Sequence, residues 1–288
     1  MESERNHPQF SKIKTRKVDQ IPSLLPEEIV EEILSRLPVK SLLKFRQKKF
    51  FLWNPSTRMT KKLPDLDDKL KHGEITKFGF GFDDSGDYKV FAVLSVFWIT
   101  GRFQATGKVY SLKTNSWRRI KDKDGGPFDE GGKFVSGKLH WGRKSGQDLR
   151  WDIFSFDLER EVYGVVEQPS YPQGGFKPSL GVIDGCLCVL CDCCDNRLDV
   201  WLLKEYGVRE SWSRVLTIPG PRDSWTGPFS TPLYIGPVGA ILVVNGFIFV
   251  VHNPKDNGFK SARIVNFVGI RGADVFVESL VSLVSDGE

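Results

Sequence analysis

Two patterns of apolar and polar positions divide the chain. Between Leu25 and Pro38, Ile29, Ile33 and Leu37 recur at i, i+4 and i+8 with Val30 and Leu34 beside them. That spacing predicts a helix with one apolar stripe. Pro26 suits the first helical position, and Glu27 and Glu28 face the positive end of the helix dipole. Pro38 ends the helix, and Leu42, Leu43 and Phe45 open a second apolar segment carrying Lys40, Lys44 and Arg46. A helix this short is marginal alone, so its stripe needs a surface to lie against.

From Phe50 onward the period becomes that of strands. A hairpin with Gly at its turn is predicted at Val135-Ser136-Gly137-Lys138, at Ile183-Asp184-Gly185-Cys186 and at Val244-Asn245-Gly246-Phe247. Asp-Gly and Asn-Gly are strong hairpin signals because both turn residues accept positive φ. A second unit runs from an aromatic strand through a polar turn to Trp or Tyr. It appears at Val109–Trp117, Ile153–Tyr163 and Val200–Trp212, and its starting points lie 44 and 47 residues apart. Four strands per period in the forties predict propeller blades, four or five of them between Phe50 and Glu288, with an antiparallel β-sandwich as the alternative.

Composition sharpens this picture. The 28 glycines, 21 phenylalanines and 8 tryptophans suit many short strands joined by tight turns, and 288 residues supply ample core. The net charge of +5 is spread out. Its one dense cluster, Lys12-Ile13-Lys14-Thr15-Arg16-Lys17, lacks interleaved aromatic residues for nucleic-acid stacking. Residues 1–20 are expected to form a disordered basic tail, with no nucleic-acid partner. No apolar run is long enough to span a membrane and the first twenty residues are polar, so no membrane association is expected. The five cysteines, Cys186, Cys188, Cys191, Cys193 and Cys194, are expected to be reduced thiols in cytosol or nucleus.

No catalytic constellation stands out. Gly132–Lys138 has the spacing of a phosphate loop, but Leu139 replaces the Ser or Thr that would hold magnesium, and no helix follows. The cysteine group lacks a second Cys/His pair at zinc-finger distance, so neither metal nor cofactor is expected. His7, His72, His140 and His252 read as surface or core histidines, and the pairs Asp67-Asp68 and Asp83-Asp84 as solvated turn residues.

The run Leu25-Pro26-x-Glu28, then Ile33-Leu34-x-x-Leu37-Pro38-x-x-x-Leu42-x-x-x-Arg46, resembles the first half of an F-box. Leu52-Trp53-Asn54-Pro55-Ser56-Thr57-Arg58 with Lys62-Leu63-Pro64 resembles the opening of the F-box-associated, kelch-like domain of plant F-box proteins. So do Phe78–Asp83 with Asp87-Tyr88-Lys89-Val90, and Trp201–Gly207 with Ser211-Trp212. The resemblance implies a partial helical F-box at 21–46 and a kelch-like β-domain at 50–288. It also implies a non-catalytic receptor that bridges the Skp adaptor, and through it a Cullin scaffold, to a protein substrate for ubiquitination. Leu25, Pro26, Ile29, Ile33, Leu34, Leu37, Pro38 and Leu42 match the motif and carry the apolar pattern, which makes them the expected adaptor-facing residues; none is nominated for the substrate.

Two family features are missing: the Cys- and Trp-bearing second half of the box, and the Gly-turn hairpin before Trp53-Asn54-Pro55. One internal gap between Arg46 and Phe50 accounts for both. It predicts an open strand edge at Leu52-Trp53 and an incompletely closed propeller of reduced stability. Two other readings stay open: a binding domain unable to join a ligase, and a propeller enzyme or lectin with a central pocket.

Overall fold

The computed structural model describes residues 50–262 apart from position 55 and the segments 67–74, 98–102, 121–127, 129–130, 146–149, 171–175, 194–196, 220–228, 237–238, 246–247 and 256–257. The expected tail and the helical segment at 21–46 lie outside the described residues. All regular structure within them is antiparallel strand, except for one 3-10 turn at Arg209–Ser211.

The strands form five sheets in chain order. A two-stranded sheet, β1 (Phe51–Asn54) and β2 (Met59–Lys62), comes first. Four four-stranded sheets follow, each a simple up-and-down meander. The first comprises β3 (Ile75–Phe82), β4 (Tyr88–Phe97), β5 (Phe103–Ser111) and β6 (Ser116–Arg119). The second comprises β7 (Lys133–Val135), β8 (Lys138–Ser145), β9 (Arg150–Asp157) and β10 (Tyr163–Val166). The third comprises β11 (Phe176–Ile183), β12 (Cys186–Cys193), β13 (Arg197–Leu203) and β14 (Trp212–Pro219). The fourth comprises β15 (Phe229–Ile235), β16 (Ile241–Asn245), β17 (Ile248–Asn253) and β18 (Gly258–Ala262).

Each sheet is packed against its neighbours in sequence. Alternate residues of one strand point to opposite faces, and here both faces are apolar. Val90 and Ala92 of β4 pack toward Phe50 and Leu52, while Phe91 and Val93 pack toward Leu139, Trp141, Phe154 and Phe156 of the second sheet. Ile153 and Trp151 of β9 meet Leu187, Val189 and Cys191 of β12, and Cys188 and Leu190 on the other face of β12 meet Ile241 and Val243 of β16. The first strands lie side by side, β3 near β7, β7 near β11 and β11 near β15. This is the face-to-face series expected of blades, and the two-sheet sandwich is set aside because there are four full sheets.

The segment Phe78-Gly79-Phe80-Gly81-Phe82 shows how sequence sets this packing. Its phenylalanines occupy one face of β3, and its glycines occupy the other, where the second sheet needs the space. A Cβ on Gly81 would lie 2.3 Å from the Phe134 ring, and one on Gly79 would lie 2.8 Å from Leu139. Gly132, whose N–H donates to the Phe78 carbonyl at 2.7 Å, completes the join. Its added Cβ would lie 2.6 Å from Trp141 and 2.9 Å from the Gly79 Cα, where backbone cannot yield as a side chain can. Gly132→Ala is therefore expected to destabilise the fold by about 1–3 kcal/mol, read from chemical unfolding.

The hairpin signals resolve unequally. Ser136-Gly137 joins β7 to β8 and Asp184-Gly185 joins β11 to β12, with positive φ at all four residues (49°, 71°, 50° and 74°). The Asn245-Gly246 signal joins β16 to β17, the second and third strands of their sheet, so it stands one strand later than the other two. The bend between β15 and β16 is closed instead by Gly236 and Ala240, whose backbone groups bond at 2.7 Å.

Candidate functional site

The eight expected adaptor-facing residues, Leu25, Pro26, Ile29, Ile33, Leu34, Leu37, Pro38 and Leu42, lie outside the described residues. What the described residues offer is a β-domain in which a few buried titratable groups, Asp83, Lys89 and His140 among them, are built into joints between strands and sheets.

Asp83 corrects one expectation. Rather than a solvated turn residue, it is a buried organiser of the β3–β4 turn. Its Oδ1 accepts from the Ser85 and Asp87 amides and the Ser85 hydroxyl, and its Oδ2 lies 2.7 Å from Lys89 Nζ. Burial alone would raise its carboxyl, but the bonds from Lys89, Ser85 and the Asp87 amide outweigh that and hold it at about 2. Lys89 also donates to the Leu158 carbonyl at 2.7 Å, which ties the first sheet to the second. Glu161, in the β9–β10 turn, is within 3.6 Å of Lys89 and is paired with Arg118 of β6.

The second and third sheets are joined by His140. This residue of β8 is fully buried, with Nδ1 3.2 Å from the Lys133 carbonyl and Nε2 2.7 Å from the Tyr206 hydroxyl. A carbonyl can only accept, so Nδ1 carries the proton and Tyr206 donates to Nε2. Burial pushes His140 down to about 4 and Tyr206 up to about 12, so both are neutral at pH 7. The pair is a structural bolt between two sheets.

Cys188 and Cys191 of β12 lie on opposite faces of the sheet. Cys188 packs toward the fourth sheet and Cys191 toward the second, and burial pushes the Cys188 thiol far up, so it stays protonated. Among the described residues no three His, Cys, Asp or Glu side chains are grouped to hold a metal ion. The Gly132–Lys138 segment is a strand, turn and strand.

Exposed apolar surface is the remaining candidate. Phe80 and Phe82 of β3 are 38% and 46% exposed. Tyr88 stacks on Phe80 at 5.7 Å between ring centroids, and Phe82 leans on Tyr88 at 5.6 Å and on Phe134 at 4.8 Å. Sequence alternation places these phenylalanines on one face of β3.

Residues 4–264 match the family described as the F-box associated beta propeller domain. An F-box/kelch-repeat protein of Arabidopsis thaliana is 30% identical over 242 residues, covering 82% of this chain and 64% of its own. The F-box protein CPR1 of the same plant is 30% identical over 259 residues, covering 80% of this chain and 63% of its own. The chain thus spans a little under two thirds of the length of these curated relatives.

Proposed function

This chain belongs to the F-box associated beta propeller family, and on that footing we propose that it is a substrate receptor of a Skp–Cullin–F-box ubiquitin ligase. The observation that carries the reading is the junction of two parts. The F-box-like run from Leu25 to Arg46 and the strands that follow it from Phe51 fall within one match, residues 4–264, to the family described as F-box associated. In this account residues 21–46 form a partial helical F-box. The β-domain, an incompletely closed propeller, presents a surface to a protein destined for ubiquitin transfer.

The receptor does no chemistry of its own. It acts by proximity: holding a substrate beside the transfer machinery raises the effective concentration of its lysines. The partners are the Skp adaptor, a Cullin scaffold reached through it, and a protein substrate, in cytosol or nucleus. The apolar stripe of Ile29, Ile33 and Leu37 with Leu34, framed by Leu25, Pro26, Pro38 and Leu42, is the adaptor-facing surface, because a short amphipathic helix is stabilised mainly by what covers its apolar side.

Ile33→Ala combined with Leu34→Ala is expected to weaken adaptor binding by at least about 2 kcal/mol, close to thirty-fold, if these side chains are central to the contact. Pull-down of the Skp adaptor by the wild-type chain and the double variant checks it; equal capture by the two would overturn the assignment.

One observation favours a second reading. β1 begins at Phe51, only five positions after Arg46, so the second half of an F-box has no room. A chain so shortened would bind substrate without joining the ligase. Absence of the adaptor from the wild-type pull-down is the outcome that selects it.

A further inference from the structure

Buried charged side chains such as Lys89, Asp157 and Asp199 have partners of opposite sign: Asp83, Lys138 and Arg214. Arg143 of β8 departs from this. It is 9% exposed and has no ion-pair partner among the described residues, and its Nε is enclosed without an acceptor. Asp152 stands opposite it on β9, so the two side chains share a face. No ion pair joins them; Asp152 instead accepts from Gln168 Nε2 at 3.4 Å. Burial pulls the guanidinium below its usual range and Asp152 works against that, but an arginine in a protein keeps its charge.

The surroundings of Arg143 are aromatic. Its guanidinium carbon lies 4.6 Å from the centroid of the Phe154 ring, and Phe128 bridges to it through the backbone. The Phe128 ring lies 5.1 Å from Phe154 and 5.3 Å from Trp141. A ring face attracts a cation, yet it gives the guanidinium N–H groups no oxygen to bond. Trp141 repeats the pattern two residues earlier on the same face, with its indole N–H buried without an acceptor. One face of β8 thus carries two unsatisfied donors, where the second sheet meets Phe91 and Val93 of the first.

A buried donor is costly until an acceptor meets it. A water molecule can satisfy an indole N–H, but it does not offset a buried cation, which calls for an anion. Asp152 on the same face disfavours a dianion such as phosphate. A carboxylate carries one charge and matches the guanidinium fork with two parallel bonds. The phenylalanine rings suit an apolar stem behind it.

We propose that the face of β8 bearing Trp141 and Arg143 binds a carboxylate. The acid group sits on the Arg143 guanidinium and its apolar stem lies against Phe128 and Phe154. Two sources share this chemistry: a small organic acid, and a glutamate side chain of a protein partner. The site stands whether or not the chain joins a ligase.

Nuclear magnetic resonance on the full, nitrogen-labelled chain tests it, read at the Arg143 Nε–H and the Trp141 indole. The probes are benzoate, its uncharged counterpart benzamide, and a blocked peptide with one glutamate among leucines beside its glutamine version. Saturable shifts with benzoate and none with benzamide are expected. Arg143→Gln should weaken benzoate binding by about tenfold or more, the usual worth of a charge-assisted hydrogen bond, read at the Trp141 indole. Asp152→Asn should tighten it by about threefold, because a like charge beside the carboxylate is gone. A general loosening of the fold would not strengthen binding, so this second variant keeps the test decisive even where Arg143→Gln folds poorly. Preference for the glutamate peptide over the glutamine one assigns the site to a protein partner, and a response to benzoate alone assigns it to a small acid. No shift with either acid, an equal response to benzamide, or unchanged affinity in a folded Arg143→Gln protein would overturn the proposal.

Discussion

Truncating Trp141 to alanine is expected to lower the unfolding free energy by about 3–5 kcal/mol, the usual cost of emptying a large aromatic site in a core. Trp141 is 1% exposed and is enclosed by Phe91 and Phe128, with ring centroids at 5.4 and 5.3 Å, and by Phe154 at 6.3 Å. Gly79 and Gly132 press on the indole from the remaining side, and backbone cannot collapse into a hole as side chains can. One effect works the other way. The Trp141 indole N–H is buried without an acceptor among the described residues, so its removal relieves a desolvated donor worth about 1–3 kcal/mol. Trp141→Phe separates the two effects: it keeps most of the ring and discards the N–H, and it is expected to cost much less than Trp141→Ala. Urea unfolding of the three proteins checks both. Midpoints that coincide for wild type and Trp141→Ala would show that the interface between the first two sheets is not close-packed.

Acidification is expected to remove up to about 3 kcal/mol between pH 6.5 and 4, through His140 alone. Each unit of displacement is worth about 1.4 kcal/mol, and burial lowers this imidazole from 6.5 to about 4. The folded state holds it neutral while the unfolded chain protonates at 6.5, so falling pH draws the equilibrium toward the unfolded side. The contribution is whole above pH 6.5, declines as pH drops toward 4, and changes no further below that. Asp83 and Asp157 act in a lower window, because both carboxyls are held below their ordinary range and their share is lost only as pH falls beneath about 4. His140→Gln keeps an amide donor for the Lys133 carbonyl and an acceptor for Tyr206, and it should flatten the slope between pH 6.5 and 4. Unfolding curves at pH 7.5, 5.5 and 4 measure it; an unchanged slope in His140→Gln would remove His140 from the account.

These two residues mark the limit of what the sequence discloses. Strand alternation and turn chemistry are local, so the β3–β6 and β7–β10 meanders can be read from runs such as Val109–Trp117 and from Ser136-Gly137, whose backbone angles demand small or permissive residues. The β3–β4 hairpin is harder to see. Its five-residue turn is held by the Asp83 side chain and not by an Asp-Gly pair at the bend, and the same carboxylate looks solvated until Lys89 is found beside it. Asn245-Gly246 carries a hairpin signal that says nothing about which strands it joins. The His140–Tyr206 pair spans 66 positions, a distance over which no pattern informs. The expected adaptor residues rest on the F-box resemblance, and the described residues neither add to them nor subtract from them.

Apolar burial on both sides of the first three meanders has a consequence for synthesis. A sheet leaving the ribosome covers one side on the sheet made before it, while its other side waits for residues not yet translated. The nascent chain therefore carries one uncovered greasy side at every stage of elongation, passed from sheet to sheet. The third sheet in particular waits for Ile241 and Val243 of the fourth, and until they emerge its uncovered side is a surface for chaperones.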